Sequence, residues 1–370
     1  MTFQQSKNLA FILSTPRAGS TLLSSILGSH SNVFCPPELW LLLPLSAIAP
    51  EKSLIFSAYD QAAAQKVWFN WYDETMFSNA SAAFATNVYE KMLSDSTKQI
   101  IIDKTPRYYH ILPYLEQMFP ESPKIWIKRN PLDVIASHRT TWNTSFNLLV
   151  GQDVGPVSFD YTVSFFLLYS YFQKPSPAKH VVKYEELVAE PDERVKEICQ
   201  FLNIEMEETM LSFAKNEKLL QQYSKAEIGD KKILHTKGVH TKSVGNWRNA
   251  LSPEEVKRIL VTLGKDLFIK LGYLDNYNQA AEWAGVKPED ENSEIMNNIF
   301  QAYSEFVSMG SSRNTGVDQN DAIDSLNQLR MRLAESEATR QRYKALLNGV
   351  ISSKFYKTMS YFGLWKWLKL

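Results

Sequence analysis

Cysteine is scarce in this chain: two residues in 370, Cys35 and Cys199. Two thiols are too few for a disulfide framework or a four-cysteine metal site, and they suit a reducing compartment. Net charge is missing as well, because 40 Lys and Arg balance 40 Asp and Glu. Without a global field to gather nucleic acid or an anionic membrane, any anion site has to be built locally from a few placed residues. Long apolar runs are also absent. Leu39 to Ala49 spans about eleven residues and contains Pro44, well short of the roughly 20 that a spanning helix requires. Asn8 to Thr15 runs directly into Pro16-Arg-Ala-Gly19 and reads as a first core strand, not as the apolar centre of a secretion signal. These absences predict no transmembrane segment and a cytoplasmic chain.

What is present is a core-forming composition, 44% hydrophobic and 12% aromatic with 22% charged residues, which excludes a mainly disordered chain. Strand and helix signals alternate over the first two thirds. Leu9–Leu13, Gln99–Ile102, Lys124–Lys128 and His180–Lys183 read as strands. Ser20–Gly28, Tyr108–Phe119, Pro131–His138, Phe159–Phe172 and Glu193–Leu202 read as helices. The expected fold is α/β, a P-loop-type parallel sheet flanked by helices, with a helical insertion over Ser57–Leu93 and a helical C-terminal tail. Ser252, Pro253 and Glu255 form an N-cap, first-turn proline and capping-box glutamate for a helix to Leu271. We expect a domain over 1–277, a polar extension and linker over 278–320, and an amphipathic helix with a basic aromatic tail over 321–370. Lys354, Lys357, Lys366 and Lys369 stand among Phe355, Tyr356, Phe362, Trp365 and Trp367. That pattern over 351–370 suits a peripheral membrane surface or a partner protein, and equally a helix docked on its own domain.

Two stretches carry anion chemistry. In Ser14-Thr-Pro-Arg-Ala-Gly-Ser-Thr21 a strand ends, a glycine turn follows and a helix starts with hydroxyl residues, so backbone N–H groups and the helix dipole converge where a phosphate can sit. Arg17 adds charge, and Ser20 and Thr21 add hydroxyl donors. The Walker pattern is absent, since no Lys follows Gly19. In the second stretch Arg129 stands at a strand end and Ser137 lies two turns along the next helix, and a planar guanidinium suits a phosphate dianion. Two phosphate elements imply a ligand with two phosphate centres.

The combination resembles the sulfotransferases that use 3′-phosphoadenosine 5′-phosphosulfate. Thr15–Thr21 resembles their 5′-phosphosulfate loop and Arg129–Ser137 their 3′-phosphate motif. Asp103-Lys-Thr-Pro106 resembles a lysine-bearing strand end, Lys183-Tyr-Glu-Glu-Leu a Tyr-Glu-Asp-Leu pattern, and Lys237–Trp247 the segment that closes over the nucleotide. These blocks occur in family order between Leu9 and Tyr273. The tyrosylprotein sulfotransferase-like branch is the most similar, because Cys35-Pro-Pro-Glu38 stands where that branch has a base-bearing Cys-Gly-Glu-Glu. Three departures are visible: Ala18 replaces a serine, the second arginine of the 3′-phosphate helix falls on Thr141 with Arg139 as a stand-in, and the closing Arg-Lys-Gly reads His240-Thr-Lys242.

The resemblance implies sulfuryl transfer to an acceptor hydroxyl of a glycan, lipid, small-molecule alcohol or tyrosine. Glu38 is the implied base, ahead of His110, and Arg17 and Lys104 the implied stabilisers of the moving group. Nucleotide contacts are implied for Arg17, Ala18, Gly19, Ser20, Thr21, Arg129, Ser137, Tyr184, Lys237, Gly238, Val239, His240 and Lys242. No metal and no nucleic acid are called for. The rival readings are an ATP-dependent kinase of the same architecture and a non-catalytic scaffold docked on membranes through its tail.

Overall fold

The computed structural model describes residues 4–48, 74–150, 155–225, 231–287, 290 and 293–308. The linker, amphipathic helix and basic tail expected beyond 308 lie outside the described residues, as do the first half of the 57–93 insertion and residues 151–154.

Five short strands form one parallel sheet: β1 (Leu9–Leu13), β2 (Val33–Phe34), β3 (Ile100–Lys104), β4 (Lys124–Lys128) and β5 (Lys179–Lys183), in the order β2-β3-β1-β4-β5. Phe11 pairs with Asp103 on one side and Lys124 on the other, and Trp126 pairs with Val181. β1 and β3 are buried along their whole length. β1 accordingly reads as an unbroken apolar run, since a parallel strand with helices on both faces has no polar side, whereas in β3 the run Ile100–Ile102 is closed by the buried Asp103 and Lys104.

Each face has its own core. Leu9, Phe11 and Leu13 point into a cluster with Tyr89, Phe119, Trp126 and the helix Pro253–Leu271. Ala10 and Ile12 point to the other, with Leu23, Ile26, Val182 and Ile198. Ser252 caps Pro253–Leu271 as the sequence predicts, its hydroxyl accepting from the Glu255 N–H while the Glu255 carboxylate accepts from the Ser252 N–H. The chain breaks helical geometry at Gly264 (φ 74°, ψ 150°) before continuing to Leu271.

Some elements differ from expectation in detail. Pro106–Ile111 is a 3₁₀ turn that passes into the helix Leu112–Met118, and the aromatic helix is split at Thr162 into Pro156–Tyr161 and Val163–Phe172. The described half of the insertion is one helix, Glu74–Ser96. Beyond Leu274 the polar stretch carries two helices, Leu274–Ala284 and Ser293–Ser308, and the second sets Met296, Ile299 and Tyr303 against Phe159 and Val163. No described helix is long and apolar enough to cross a membrane.

The connections diverge on either side of β1, which has β3 on one flank and β4 on the other. In an open parallel sheet the crevice beyond the carboxyl ends at such a switch point is where ligands bind. Here those ends deliver residues 14–19, Lys104-Thr105 and Arg129-Asn130.

Candidate active site

The loop after β1 is shaped by two residues with positive φ, Arg17 (71°) and Gly19 (100°), around a fully buried Ala18. The helix Ser20–Gly28 follows with Gly19 at its N-cap and no side-chain cap on its first amides, leaving them to an anion. Gly19 is required twice over. Its φ is one that L side chains rarely adopt, and a Cβ there would stand 2.4 Å from Tyr184 Cδ2.

The two anion elements touch one another. Arg17 donates from Nε to Ser137 Oγ (3.3 Å) and from Nη2 to Thr141 Oγ1 (3.2 Å), and its guanidinium lies 4.9 Å from the Trp142 ring. Arg129 donates from Nη1 to the Arg17 carbonyl (3.0 Å) and from Nη2 to the Ser243 carbonyl (2.6 Å), over the Tyr184 ring at 4.4 Å. Its Nε is buried without a protein partner. An orphaned guanidinium N–H is costly in a protein interior, so it marks a place where an anion is expected. Arg139 is paired with Glu255 instead.

Lys104, at the end of β3, is fully buried; Nζ donates to Glu38 Oε1 at 2.9 Å and to Thr21 Oγ1 at 3.4 Å. Glu38 Oε2 accepts from the Trp40 indole N–H at 3.2 Å. Across the cleft, Asp160 accepts twice from Arg107 (2.7 and 3.2 Å) and once from Tyr109 (2.9 Å); burial pushes its carboxyl upward while Arg107 holds it down. His138 meets the Tyr161 hydroxyl at Nδ1 and Thr144 Oγ1 at Nε2. Burial, then the charges of Arg17 and Arg107, push its pKa down to about 3, so the ring is neutral.

These groups surround one cavity of about 540 Å³. Among the expected site residues, Arg17, Gly19, Ser20, Thr21, Glu38, Arg129, Ser137, Tyr184, Gly238 and His240 line it. Lys104 stands behind Glu38, and Ala18 packs into the core. Lys237, Val239 and Lys242 do not line the cavity; both lysines are exposed, and Val239 packs on the core that holds Ala10 and Ile12. His110 is elsewhere, stacked on Tyr303.

Residues 10–208, more than half of the chain, match the sequence model of the Sulfotransferase family. The chain belongs to the sulfotransferase family. Sulfuryl transfer is the chemistry of that family. This sulfotransferase is 29% identical over 314 residues to the nodulation protein NoeE of Sinorhizobium fredii, covering 80% of this chain and 73% of that one. It is 24% identical over 271 residues to a putative protein-tyrosine sulfotransferase of Caenorhabditis briggsae, with 68% of this chain and 85% of that protein covered. Among solved structures it is similar to the sulfotransferase domain from the curacin biosynthetic pathway, with 24% identity, 68% and 96% coverage and a TM-score of 0.49.

Several residues of the sulfotransferase cleft do not stand out in the sequence. Trp40 sits in what reads as an apolar helix start, yet the helix begins only at Leu42. Arg107 and Asp160, 53 residues apart in the sequence, form an ion pair in the cleft wall. Asp133 accepts from the Gly245 and Trp247 backbone N–H groups (2.8 and 3.0 Å) and so ties the closing segment to the helix Pro131–Trp142. The usable signal for Asp133 is a carboxylate in the first turn of a helix that carries Ser137.

Proposed function

We propose that this sulfotransferase moves a sulfuryl group from 3′-phosphoadenosine 5′-phosphosulfate to an acceptor hydroxyl, with Glu38 as the general base. The observation that carries the reading is convergence: the 15–21 loop, the Arg129–Ser137 segment and the Glu38–Lys104 pair meet in a single cleft at the ends of β1, β3 and β4. The uncapped amides of Ser20–Gly28, with Ser20 and Thr21, receive the 5′-phosphosulfate end of the donor. Arg129, through its orphaned Nε, and Ser137 receive the 3′-phosphate, while Tyr184 and the Gly238–His240 wall enclose the nucleotide.

Sulfuryl transfer, like phosphoryl transfer, needs in-line positioning and stabilisation of charge on the equatorial and leaving oxygens more than covalent help from the protein. Arg17 in the cleft wall and the fully buried Lys104 behind Glu38 supply that positive charge. Glu38 takes the hydroxyl proton as the acceptor oxygen attacks sulfur and the bond to the 5′-phosphate breaks, a contribution on the order of 10²–10⁴ in rate. The acceptor is a glycan, lipid, small-molecule alcohol or tyrosine hydroxyl, entering between Trp40, Trp142 and the Arg107–Asp160 pair.

Thermal unfolding with adenosine 3′,5′-bisphosphate against ATP with Mg²⁺ tests the donor. Stabilisation by the bisphosphate alone is expected; stabilisation by ATP alone would favour a kinase, and no response to either a scaffold. Radiolabelled donor incubated with a glycan, lipid, phenol and tyrosine-peptide panel then identifies the acceptor class. Glu38→Gln should abolish labelling of that acceptor while bisphosphate binding is retained, because Glu38 reaches the donor side only through its pairing with Lys104.

A further inference from the structure

Trp40 is the one described residue that touches the Glu38 carboxylate and is itself held in a strained backbone conformation. Its φ is 55°, in the left-handed region that a bulky side chain rarely enters, at a cost of about 1–3 kcal/mol. Such a geometry persists only where its surroundings over-determine it, and here they do. The Trp40 N–H donates to Thr105 Oγ1 at 3.3 Å, and its carbonyl accepts from Leu43. Two residues on, the Leu42 N–H donates to the Tyr108 hydroxyl at 3.2 Å. Both hydroxyls are anchored in turn on Asp103: Thr105 donates to Oδ1 at 3.0 Å and Tyr108 to Oδ2 at 2.8 Å, with Tyr89 adding a third donor at 2.7 Å. Asp103 is fully buried at the end of β3, one residue before Lys104.

We infer that Trp40 is a positioning residue for Glu38, its indole N–H fixing the carboxylate while the Asp103–Thr105–Tyr108 network fixes Trp40. The chain of contacts links the base to the strand that carries Lys104, so both groups are referred to one rigid element. It also divides the carboxylate. Lys104 takes one oxygen and Trp40 the other, and a carboxylate with about four lone-pair sites keeps the remainder for the acceptor proton. The indole face is covered by the Arg107 guanidinium, 5.8 Å from the ring, which Asp160 holds in place. The charged groups facing Glu38 are thus Lys104 from β3 and Arg107 with Asp160 across the cleft; the buried Tyr223 phenol lies within electrostatic reach.

The inference rests on the reading of Glu38 as base, and the test separates the two. In the full chain labelled with ¹⁵N-tryptophan, Trp40→Phe identifies the Trp40 indole resonance by its loss. That resonance is expected to move in Glu38→Gln and, in the wild type, to follow the titration of Glu38. Thr105→Val loosens the Trp40 anchor, weakens a hydrogen bond to the charged form, and should raise the midpoint by about 0.5–1 pH unit. Thr105→Ser keeps the hydroxyl and should restore it. If Thr105→Val does not fold, the Glu38 carboxyl ¹³C resonance in Trp40→Phe should titrate at a higher pH than in the wild type. An indole resonance indifferent to Glu38→Gln, or midpoints unchanged by Thr105→Val and Trp40→Phe, overturns the inference alone. Retained acceptor labelling by Glu38→Gln overturns the base reading and removes the role with it.

Discussion

At the scale of single residues, the loop 15–21 depends on one position where no side chain fits. Gly19→Ala places a Cβ 2.4 Å from a ring carbon of Tyr184, at a φ of 100°. Tyr184 is 5% exposed and lies under Arg129, so the ring has little room to yield. We expect a loss of about 1–3 kcal/mol in urea unfolding from the backbone strain. Bisphosphate binding, measured by calorimetry, should fall at least tenfold as the ring and Arg129 are displaced; unchanged affinity would mean that Tyr184 is not part of the nucleotide wall. Arg17, Glu38, Lys104, Arg129 and Ser137 are legible in the sequence because each belongs to a local block with its own strand end or helix start. Trp40, the Arg107–Asp160 pair and the His138–Tyr161 contact are not. Trp40 is only two residues from Glu38, but the Thr105 hydroxyl that anchors it is 65 residues on, and the other two pairs are 53 and 23 residues apart, so no local pattern announces contacts that the fold creates.

At the scale of elements, legibility follows burial on both faces. β1, β3 and β4 read correctly because two-sided burial leaves an apolar stretch of at least three residues in each, Leu9–Leu13, Ile100–Ile102 and Ile125–Ile127, whereas β2 is two residues long and leaves no pattern. The helix Ser293–Ser308 escapes a sequence reading for a different reason. It lies in a polar, acidic stretch, and its apolar stripe is confined to Met296, Ile299 and Tyr303 with Ile295, Phe300 and Phe306 beside them. Spacings of three and four residues there are the signal that composition hides. Tyr303 packs edge-on to Phe159 at 5.1 Å and meets His110 Nδ1 through its hydroxyl at 3.2 Å. Tyr303→Ala should therefore cost about 3–5 kcal/mol by the measure of a buried aromatic truncation, somewhat less because the ring is at the rim. Hydrogen exchange should accelerate across 293–308 and Pro156–Phe172 while β1 and β3 stay protected. Uniform acceleration would mean that the helix is integral to the whole core, and none at all that it is only loosely attached.

At the scale of the whole molecule, a zero net charge conceals a cleft in which Arg17, Arg107 and Arg129 converge, and that local excess of cation shapes the response to pH. His138 is 8% exposed between two of those arginines, and its pKa is pushed from 6.5 down to about 3. The unfolded chain binds this proton near pH 6.5 and the folded chain only near 3, so between those values the unfolded state holds more protons. Stability from His138 is thus complete above pH 6.5 and declines as pH falls toward 3. Asp103, Asp133 and Asp160 act in the opposite sense. Burial raises all three carboxyls above 3.8, so the folded state takes up their protons first, and what they add is present at acid pH and lost as pH rises through their folded values. The observed slope is the difference of the two, and His138→Asn isolates one arm. Urea unfolding from pH 7 to 4.5 should show the wild type losing more stability than His138→Asn over that window, whatever the absolute stability of the variant. Parallel curves would mean that the imidazole takes up its proton at the same pH in the folded and unfolded chains, so that neither its burial nor the charges of Arg17 and Arg107 hold it neutral.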